Sequence, residues 1–204
     1  MTNVHSDQRS GLLFSAVVLA GLVTTAGSPA EASGCDTVNI QTELVDSFTY
    51  CASSVLPPSR VGTYAPGNLD GWGDNLANAW CEGAPGDGAG EWFEYIPLPN
   101  ATAREIHIWN GYQKSRKSFT ENARARDIHI STNSGLEMSY RLEDRPGEQI
   151  VPLLDGWQEF SDMRIEILSV YPGSKYDDLC ISAFGVDFEA ARDYLDYGVD
   201  NRSK

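Results

Sequence analysis

Isoleucines alternate with polar residues in several short segments of this chain, and that spacing constrains the fold more than any other feature. Segments 106–108, 128–130 and 165–167 each place an isoleucine on both sides of one polar residue. A period of two predicts strands with one buried face. The predicted strands, which are separated by turn residues, span 48–52, 78–81, 92–98, 105–110, 126–131, 138–142, 149–151, 163–170 and 178–188. Because no long helical period precedes Glu189, the sequence predicts an all-β sandwich.

A glycine-rich run, NAWCEGAPGDGAGEW, occupies residues 78–92. Its four glycines and its three acids, Glu82, Asp87 and Glu91, make it too polar for a core and too rich in glycine for a strand interior. We therefore expect a shaped loop at one end of the sandwich. Because binding residues are concentrated on loops held by a rigid scaffold, this position favours a protein that binds a ligand over one that transforms it.

The chain is strongly acidic. Its 204 residues include 29 acids and 15 bases, which gives a formal net charge of -14. No basic face of useful size is expected from this balance, so nucleic acid and anionic lipid are poor partners. The acidity is compatible with cation binding, and a soluble secreted surface explains it equally well.

Residues 1–32 have the layout of a secretory signal peptide. Arg9 precedes an apolar run, residues 12–25, that is too short for a comfortable membrane span, and Ala-Glu-Ala at 30–32 offers a cleavage site. A secreted or periplasmic protein without a transmembrane anchor is therefore expected. A competing interpretation treats Ala-Ser-Gly-Cys at 32–35 as a loose lipobox, in which Cys35 carries a lipid anchor.

Three further segments follow the leader. Residues 33–47 are polar and show no strong period, so we expect an N-terminal approach segment before the sandwich. Residues 48–188 contain all the predicted strands and form the sandwich. Residues 189–204 are an acidic C-terminal tail in which a short helix can form around the apolar residues between 190 and 195.

Four cysteines in an exported chain suggest two disulfides, for which three connectivities are possible. Cys35 and Cys51 lie close together at the start of the domain. Cys81 and Cys180 lie in predicted strands near the first and last core elements, and such terminal strands are often neighbours in a sandwich. We therefore expect the pairs Cys35–Cys51 and Cys81–Cys180.

Six segments together resemble one known family, and they occur in order over most of the chain after the leader. They are ASSVLPP (52–58), YAPGNLDGWGDNLANAWCEG (64–83), GDGAGEW (86–92), WNGYQKS (109–115), FTENARARDIHIS (119–131) and VYPGSKYDDLCIS (170–182). The chain resembles a discoidin-like, galactose-binding-like domain of the type found as the translocation domain of bacterial NAD glycohydrolase toxins.

The resemblance implies a jelly-roll β-sandwich. Domains of this kind often hold a structural calcium, and many bind sugars. In the toxins the module is thought to engage glycans or membranes, while a separate domain splits NAD. This chain has no room for that catalytic domain, so we expect a non-catalytic binding module that requires no cofactor.

Polar and aromatic residues at turns and strand ends carry the binding prediction. An aromatic ring packs against the apolar face of a sugar, while carboxylates and amides hydrogen-bond its hydroxyl groups. Asp87 and Glu91 are candidates from the glycine-rich run, and Trp72, which glycines flank, is a candidate exposed wedge for sugar or membrane. The residues expected to converge on one rim are Glu82, Asn110, Tyr112, Lys114, Tyr176 and Asp177.

The same residues also have a structural explanation. Asn110 begins an Asn-Gly turn signal, and carboxylates beside glycines often hold loop amides. Lys114 can also pair with Asp177 or Asp178 as part of the scaffold. A structural or protein-interaction domain without a small ligand is therefore the alternative. A glycan hydrolase that uses Glu82, Asp87 or Glu91 is weaker, because nothing in the sequence marks one of these acids as protonated.

Calcium is the remaining ligand to consider. Residues 68–75 have the composition of a calcium loop, with Asp70 and Asp74 as ligand candidates, because a hard cation prefers oxygen ligands. Similar domains commonly have a glutamate after the Ile-Ser of the last strand, where this chain has Ala183. The missing carboxylate weakens the case for a metal.

Overall fold

The computed structural model describes residues 1–2, 34–60, 62–154 and 156–198. Apart from the first two residues, the predicted signal peptide lies outside the described residues, and so do the last six residues of the acidic tail. The fold described below belongs to one of the two units into which the chain divides, Glu31–Lys204.

Antiparallel strands dominate the fold, as the period-two segments predict. A 3₁₀ helix spans Pro66–Leu69, helix α1 spans Arg116–Glu121 and helix α2 spans Phe188–Tyr197. The strands, numbered in chain order, are β1 (Gly34–Asn39), β2 (Ser47–Ala52), β3 (Trp80–Cys81), β4 (Trp92–Leu98), β5 (Ala101–Ala103), β6 (Glu105–Asn110), β7 (Arg124–Thr132), β8 (Glu137–Arg141), β9 (Gln149–Pro152), β10 (Gln158–Phe160), β11 (Met163–Tyr171) and β12 (Cys180–Gly185).

Two sheets form the sandwich. The larger sheet has six strands in the order β1-β2-β4-β11-β7-β8, and the smaller has four in the order β3-β12-β6-β9. Strands β5 and β10 form a separate two-stranded ribbon. Neighbouring strands are antiparallel throughout both sheets.

The core lies between the two sheets and contains the alternating isoleucines. Segments 106–108, 128–130 and 165–167 bury both of their isoleucines completely. Aromatic rings join the two layers: the ring centroid of Phe184 on β12 lies 5.0 Å from that of Phe93 on β4. Burying large side chains of this kind provides the main driving force for folding.

The predicted strands agree with the observed ones closely in the middle of the domain. The bounds of β4 and β6 match the prediction at both ends. The last strand was predicted over 178–188, but β12 is shorter and spans Cys180–Gly185. No strand was predicted in the approach segment, but residues 34–39 form one. They form β1, which pairs with β2 from Gly34 opposite Ala52 to Asn39 opposite Ser47.

Both predicted disulfides are confirmed. Cys35 bonds to Cys51 across β1 and β2, and Cys81 bonds to Cys180 across β3 and β12. Because the sulfur of Cys35 is bonded to Cys51, the structure contradicts the interpretation in which it carries a lipid. Two disulfides are typical of proteins from an oxidising compartment.

The acidic tail begins with α2 and contacts the rest of the domain. The carboxylate of Asp187 caps the helix by accepting a hydrogen bond from the amide of Ala190 at 2.9 Å. The ring of Tyr194 stacks on that of Trp157 with a centroid distance of 4.4 Å. The helix predicted in this tail is therefore present, and it packs against the domain.

Candidate functional site

A cleft of about 830 Å³ lies beside α1. Cys81 on β3 lines it together with residues from three further segments. These are Leu56, Pro57, Ser59 and Tyr64 after β2, Tyr112, Lys114, Ser115, Lys117, Ser118, Glu121 and Asn122 between β6 and β7, and Tyr176 and Asp178 before β12. Each segment contributes one tyrosine, namely Tyr64, Tyr112 and Tyr176. Tyr112, Tyr176 and Lys114 were predicted on one rim, and the structure brings these three together.

Tyr64 and Tyr112 form the floor of the cleft. Their rings meet edge to face, with centroids 6.3 Å apart and planes at 86°. The hydroxyl of Tyr112 donates a hydrogen bond to the carbonyl of Ala77 at 3.1 Å. Both tyrosines pack with Cys81 and Cys180 in a small hydrophobic cluster that is separate from the main core. The Cys81–Cys180 disulfide therefore packs directly against the two tyrosines of this floor.

Tyr176 is the exposed aromatic residue of the cleft, with 41% of its surface accessible. Its loop is fixed to the end of α1, because the amides of Ser174 and Tyr176 donate to the carbonyls of Thr120 and Glu121 at 2.9 and 2.8 Å. The chain passes so closely here that a Cβ on Gly173 would lie 2.1 Å from the carbonyl oxygen of Tyr176. Only glycine fits this position.

A buried arginine ties the same loop to its neighbours. The guanidinium of Arg124 donates to the carbonyls of Asn122 and Pro172 at 2.9 and 3.0 Å. It also forms a two-pronged ion pair with the carboxylate of Asp144, at 3.0 and 2.8 Å. Such fork geometry gives directional as well as electrostatic stabilisation. The loop that presents Tyr176 is therefore held in place before any ligand binds.

Charged groups line the wall of the cleft. Lys114 is exposed and has no ion-pair partner among the described residues. The ammonium of Lys117 lies 3.9 Å from the carboxylate of Glu121, an exposed pair of small energetic value. Burial, followed by the charge of Asp177, raises the pKa of the Asp178 carboxyl. The cleft thus combines aromatic rings with hydrogen-bonding and charged groups.

Glu82 and Asn110, both predicted on the rim, lie inside the fold instead. The carboxylate of Glu82 accepts hydrogen bonds from the amides of Ala84 at 2.8 Å and Leu179 at 3.3 Å. Its burial raises the pKa to about 7. The side chain of Asn110 both donates to and accepts from the backbone of Ala125, at 2.7 and 3.0 Å. Both residues hold neighbouring segments together and expose no surface to a ligand.

The other acids of the glycine-rich run also hold their own loop. The carboxylate of Glu91 accepts hydrogen bonds from the hydroxyls of Ser53, at 2.7 Å, and Ser54. That of Asp87 accepts from the amide of Ala89 at 3.1 Å. Neither Asp87 nor Glu91 lines the cleft. Asp177 is exposed and lies between two lining residues in the sequence, but it does not line the cleft itself.

Trp72 is exposed, as predicted, but it lies away from the cleft. Its ring packs on the smaller sheet, 4.5 Å from the ring of His107 and 5.9 Å from that of Trp109. With 43% of its surface accessible, it covers two aromatic neighbours and still presents one face to solvent.

The two calcium candidates do not form a cluster with other metal ligands. Throughout the described ranges, no group of three or more His, Cys, Asp or Glu side chains is arranged to hold a metal ion. The amide of Asp70 closes the 3₁₀ helix by donating to the carbonyl of Gly67 at 3.2 Å, and burial raises the pKa of its carboxyl. Asp74 is exposed.

The sequence analysis did not predict several residues that line the cleft. Leu56, Tyr64 and Lys117 all line the cleft, yet none was a candidate. Tyr64 comes from an irregular segment, and Lys117 belongs to a six-residue helix too short for a periodic signal. Ser115, whose hydroxyl accepts a hydrogen bond from the amide of Ser118 at 3.1 Å, is a helix-start signal that could have located α1.

The paired sheets and their connecting loops define a discoidin-like β-sandwich. A family model for the NAD glycohydrolase translocation F5/8 type C domain matches residues 42–187, so the chain belongs to that family. Comparison with curated proteins gives no significant match. Within the described part of the chain, no helix has the length and apolar character needed to cross a bilayer.

Solved structures of similar fold include enzymes and a binding module. The arabinofuranosyltransferase AftD from Mycobacteria gives a TM-score of 0.53 at 13% identity, over 76% of this chain and 12% of that one. The family 32 carbohydrate-binding module from Streptococcus pneumoniae EndoD gives a TM-score of 0.50 at 10% identity. That match covers 68% of this chain and 94% of the module. A Ruminococcus gnavus GH29 fucosidase in complex with fucose gives a TM-score of 0.47 at 13% identity. That match covers 68% of this chain and only 25% of the fucosidase. At such identities the likeness concerns the fold alone.

Proposed function

We propose that this domain is a secreted, non-catalytic module that binds carbohydrate of a cell surface or envelope through the tyrosine-lined cleft. The observation that carries the proposal is the convergence of Tyr64, Tyr112 and Tyr176 from three separate segments on one cavity. Tyr176 offers an exposed ring for the apolar face of a sugar, and Lys114 and Asn122 offer hydrogen bonds to hydroxyl groups.

The size and construction of the cleft support this proposal. Its volume of about 830 Å³ lies within the usual range for small-molecule sites. Backbone hydrogen bonds and Arg124 hold the Tyr176 loop in advance, which lowers the entropic cost of binding. The fold is also that of a carbohydrate-binding module from Streptococcus pneumoniae.

A second candidate is a translocation or protein-interaction module without a small ligand. The description of the family favours it, since it names translocation. The acids of the glycine-rich run also favour it, because Glu82 and Glu91 serve to hold the loop. A hydrolase that uses these acids has less support, because Glu82 is fully buried and cannot reach a glycosidic bond in solvent.

A glycan array with the purified protein separates the two candidates. We expect binding to a defined set of glycans, with competition by the free sugar and without chemical change of the glycan. The array is run with calcium and again with chelator, which also tests whether the site needs a metal. Absence of any competed signal under both conditions would favour the protein-interaction module.

A further inference from the structure

A second cavity adjoins the tyrosine-lined cleft on the other side of α1. It has a volume of about 480 Å³ and shares Ser115 with the cleft. Phe119 supplies apolar surface, while Gln113 and Arg116 supply polar groups. A ligand longer than one sugar unit can therefore extend from the cleft across the first turn of α1 into this second cavity.

A short basic segment separates the two cavities. Of the four residues 114–117, three are basic, in a chain whose net charge is -14. Lys114 lines the cleft and Arg116 lines the second cavity. Across the described ranges neither side chain has a salt bridge or a hydrogen bond to another residue, so both cations are available to a ligand.

The nearby acids offset little of this positive charge. Asp144, in the second cavity, is already paired with Arg124 at 2.8 Å. Glu121, in the cleft, lies 3.9 Å from Lys117. Asp178 also lines the cleft, and it is the acid there that has no salt bridge among the described residues. Two unpaired cations, Lys114 and Arg116, and one unpaired acid, Asp178, therefore line the two cavities, although the protein as a whole is acidic.

We propose that the ligand is an acidic oligosaccharide of the uronic-acid type that spans both cavities. One sugar unit packs on Tyr176 in the cleft, and a following unit enters the second cavity beside Phe119. Their carboxylates lie against Lys114 and Arg116. This inference rests on the proposed function and adds to it the chemical class of the ligand and a second subsite.

The test measures affinity for defined oligosaccharides by titration calorimetry at low salt. The probes are mono- to tetrasaccharides of galacturonic, glucuronic and mannuronic acid, each beside its carboxyl-reduced counterpart, which keeps the sugar chain and lacks the charge. We expect at least one uronate tetrasaccharide to bind about tenfold more tightly than its reduced counterpart, because two exposed ion pairs each contribute roughly two- to fivefold. The preference should shrink in 1 M NaCl.

Variants assign the effect to the two cations. Lys114→Gln should lower the affinity for both mono- and tetrasaccharide uronates, whereas Arg116→Gln should lower only that for the longer chains. Arg192→Gln is the matched control, because Arg192 is an exposed base that lines neither cavity and its loss changes the net charge equally. It should leave all affinities unchanged.

The outcomes separate this inference from the proposed function. Equal affinity for uronates and their reduced counterparts, with binding that still depends on Tyr176, would overturn the acidic ligand and leave the carbohydrate site intact. Uronate binding that Lys114→Gln and Arg116→Gln do not weaken would overturn the two-cavity arrangement. Failure of every glycan to bind would refute the proposed function itself and this inference with it.

Discussion

Removing the disulfide between Cys81 and Cys180 should destabilise the domain more than removing the one between Cys35 and Cys51. The first bridge joins β3 to β12 and closes a loop with a sequence separation of 99, whereas the second joins neighbouring strands β1 and β2 over a separation of 16. A disulfide stabilises a fold mainly by restricting the unfolded chain, and this restriction grows with the length of the closed loop.

The expected losses follow from these separations. In the chain-entropy model, a separation of 99 corresponds to about 4.7 kcal/mol of unfolding free energy and a separation of 16 to about 3 kcal/mol. Replacement of Cys81 and Cys180 by alanine also removes two buried sulfur atoms from the small cluster under the cleft, which adds a packing cost in the same direction. In the other pair Cys35 is exposed and Cys51 is buried, so its replacement removes the contacts of one buried cysteine instead of two.

The assay compares two double variants, Cys81→Ala with Cys180→Ala and Cys35→Ala with Cys51→Ala, by urea titration and thermal melting. At roughly 2–4 °C per kcal/mol for a domain of this size, the first pair should lower Tm by roughly 10–20 °C and the second by roughly 6–12 °C. The first pair should also weaken ligand binding, because the disulfide supports Tyr64 and Tyr112. An equal or larger loss from the Cys35–Cys51 variant would refute the reasoning.

Three further predictions concern pH, the Tyr176 loop and calcium. Burial raises the pKa of Glu82 to about 7, so between pH 4.5 and 7 the folded state binds more protons than the unfolded state, and stability should fall as the pH rises through that range. Urea titrations at pH 4.5, 6 and 8 should show a smaller fall of the unfolding free energy in Glu82→Gln than in the unmodified protein. The same dependence on pH in both proteins would contradict this prediction. Gly173→Ala should cost about 1–3 kcal/mol and weaken glycan binding, because its Cβ would lie 2.1 Å from the carbonyl of Tyr176; an unchanged urea midpoint and affinity would show that the loop relaxes freely. Addition of EDTA should leave Tm unchanged, because Asp70 and Asp74 belong to no metal-ligating cluster of the described residues, and a fall in Tm that calcium restores would show otherwise.

Regular strands were predictable where their apolar residues alternate. From residue 93 onward, β4 alternates between buried and more exposed side chains, whereas β6 is buried on both faces from Ile106 to Asn110, and its alternating isoleucines marked it nonetheless. Strand β1 lies at the edge of its sheet, and its side chains alternate only between partly buried and exposed. Its sequence therefore carries no strong apolar period, and pairing with β2 forms it instead.

Site residues were harder to predict because residue type does not reveal the partner. The sequence grouped Tyr112, Lys114 and Tyr176, and all three line one cleft because segments near the ends of the strands meet there. Glu82 is the opposite case: its carboxylate accepts the amide of Leu179, a residue 97 positions away in the chain, and this contact exists only in the folded state. A buried structural acid and a ligand-binding acid are indistinguishable before that partner is known.

The affinity of Tyr176 variants for a glycan identified on the array tests the central claim most directly. Tyr176→Phe keeps the ring and should bind within about twofold of the unmodified protein. Tyr176→Ala should lose about tenfold or more, because burial of a ring against a sugar is worth on the order of 1.5 kcal/mol. Ile150→Ala, an exposed residue on β9, is the control and should bind normally. Full affinity in Tyr176→Ala, with a correctly folded protein, would contradict a carbohydrate site in this cleft.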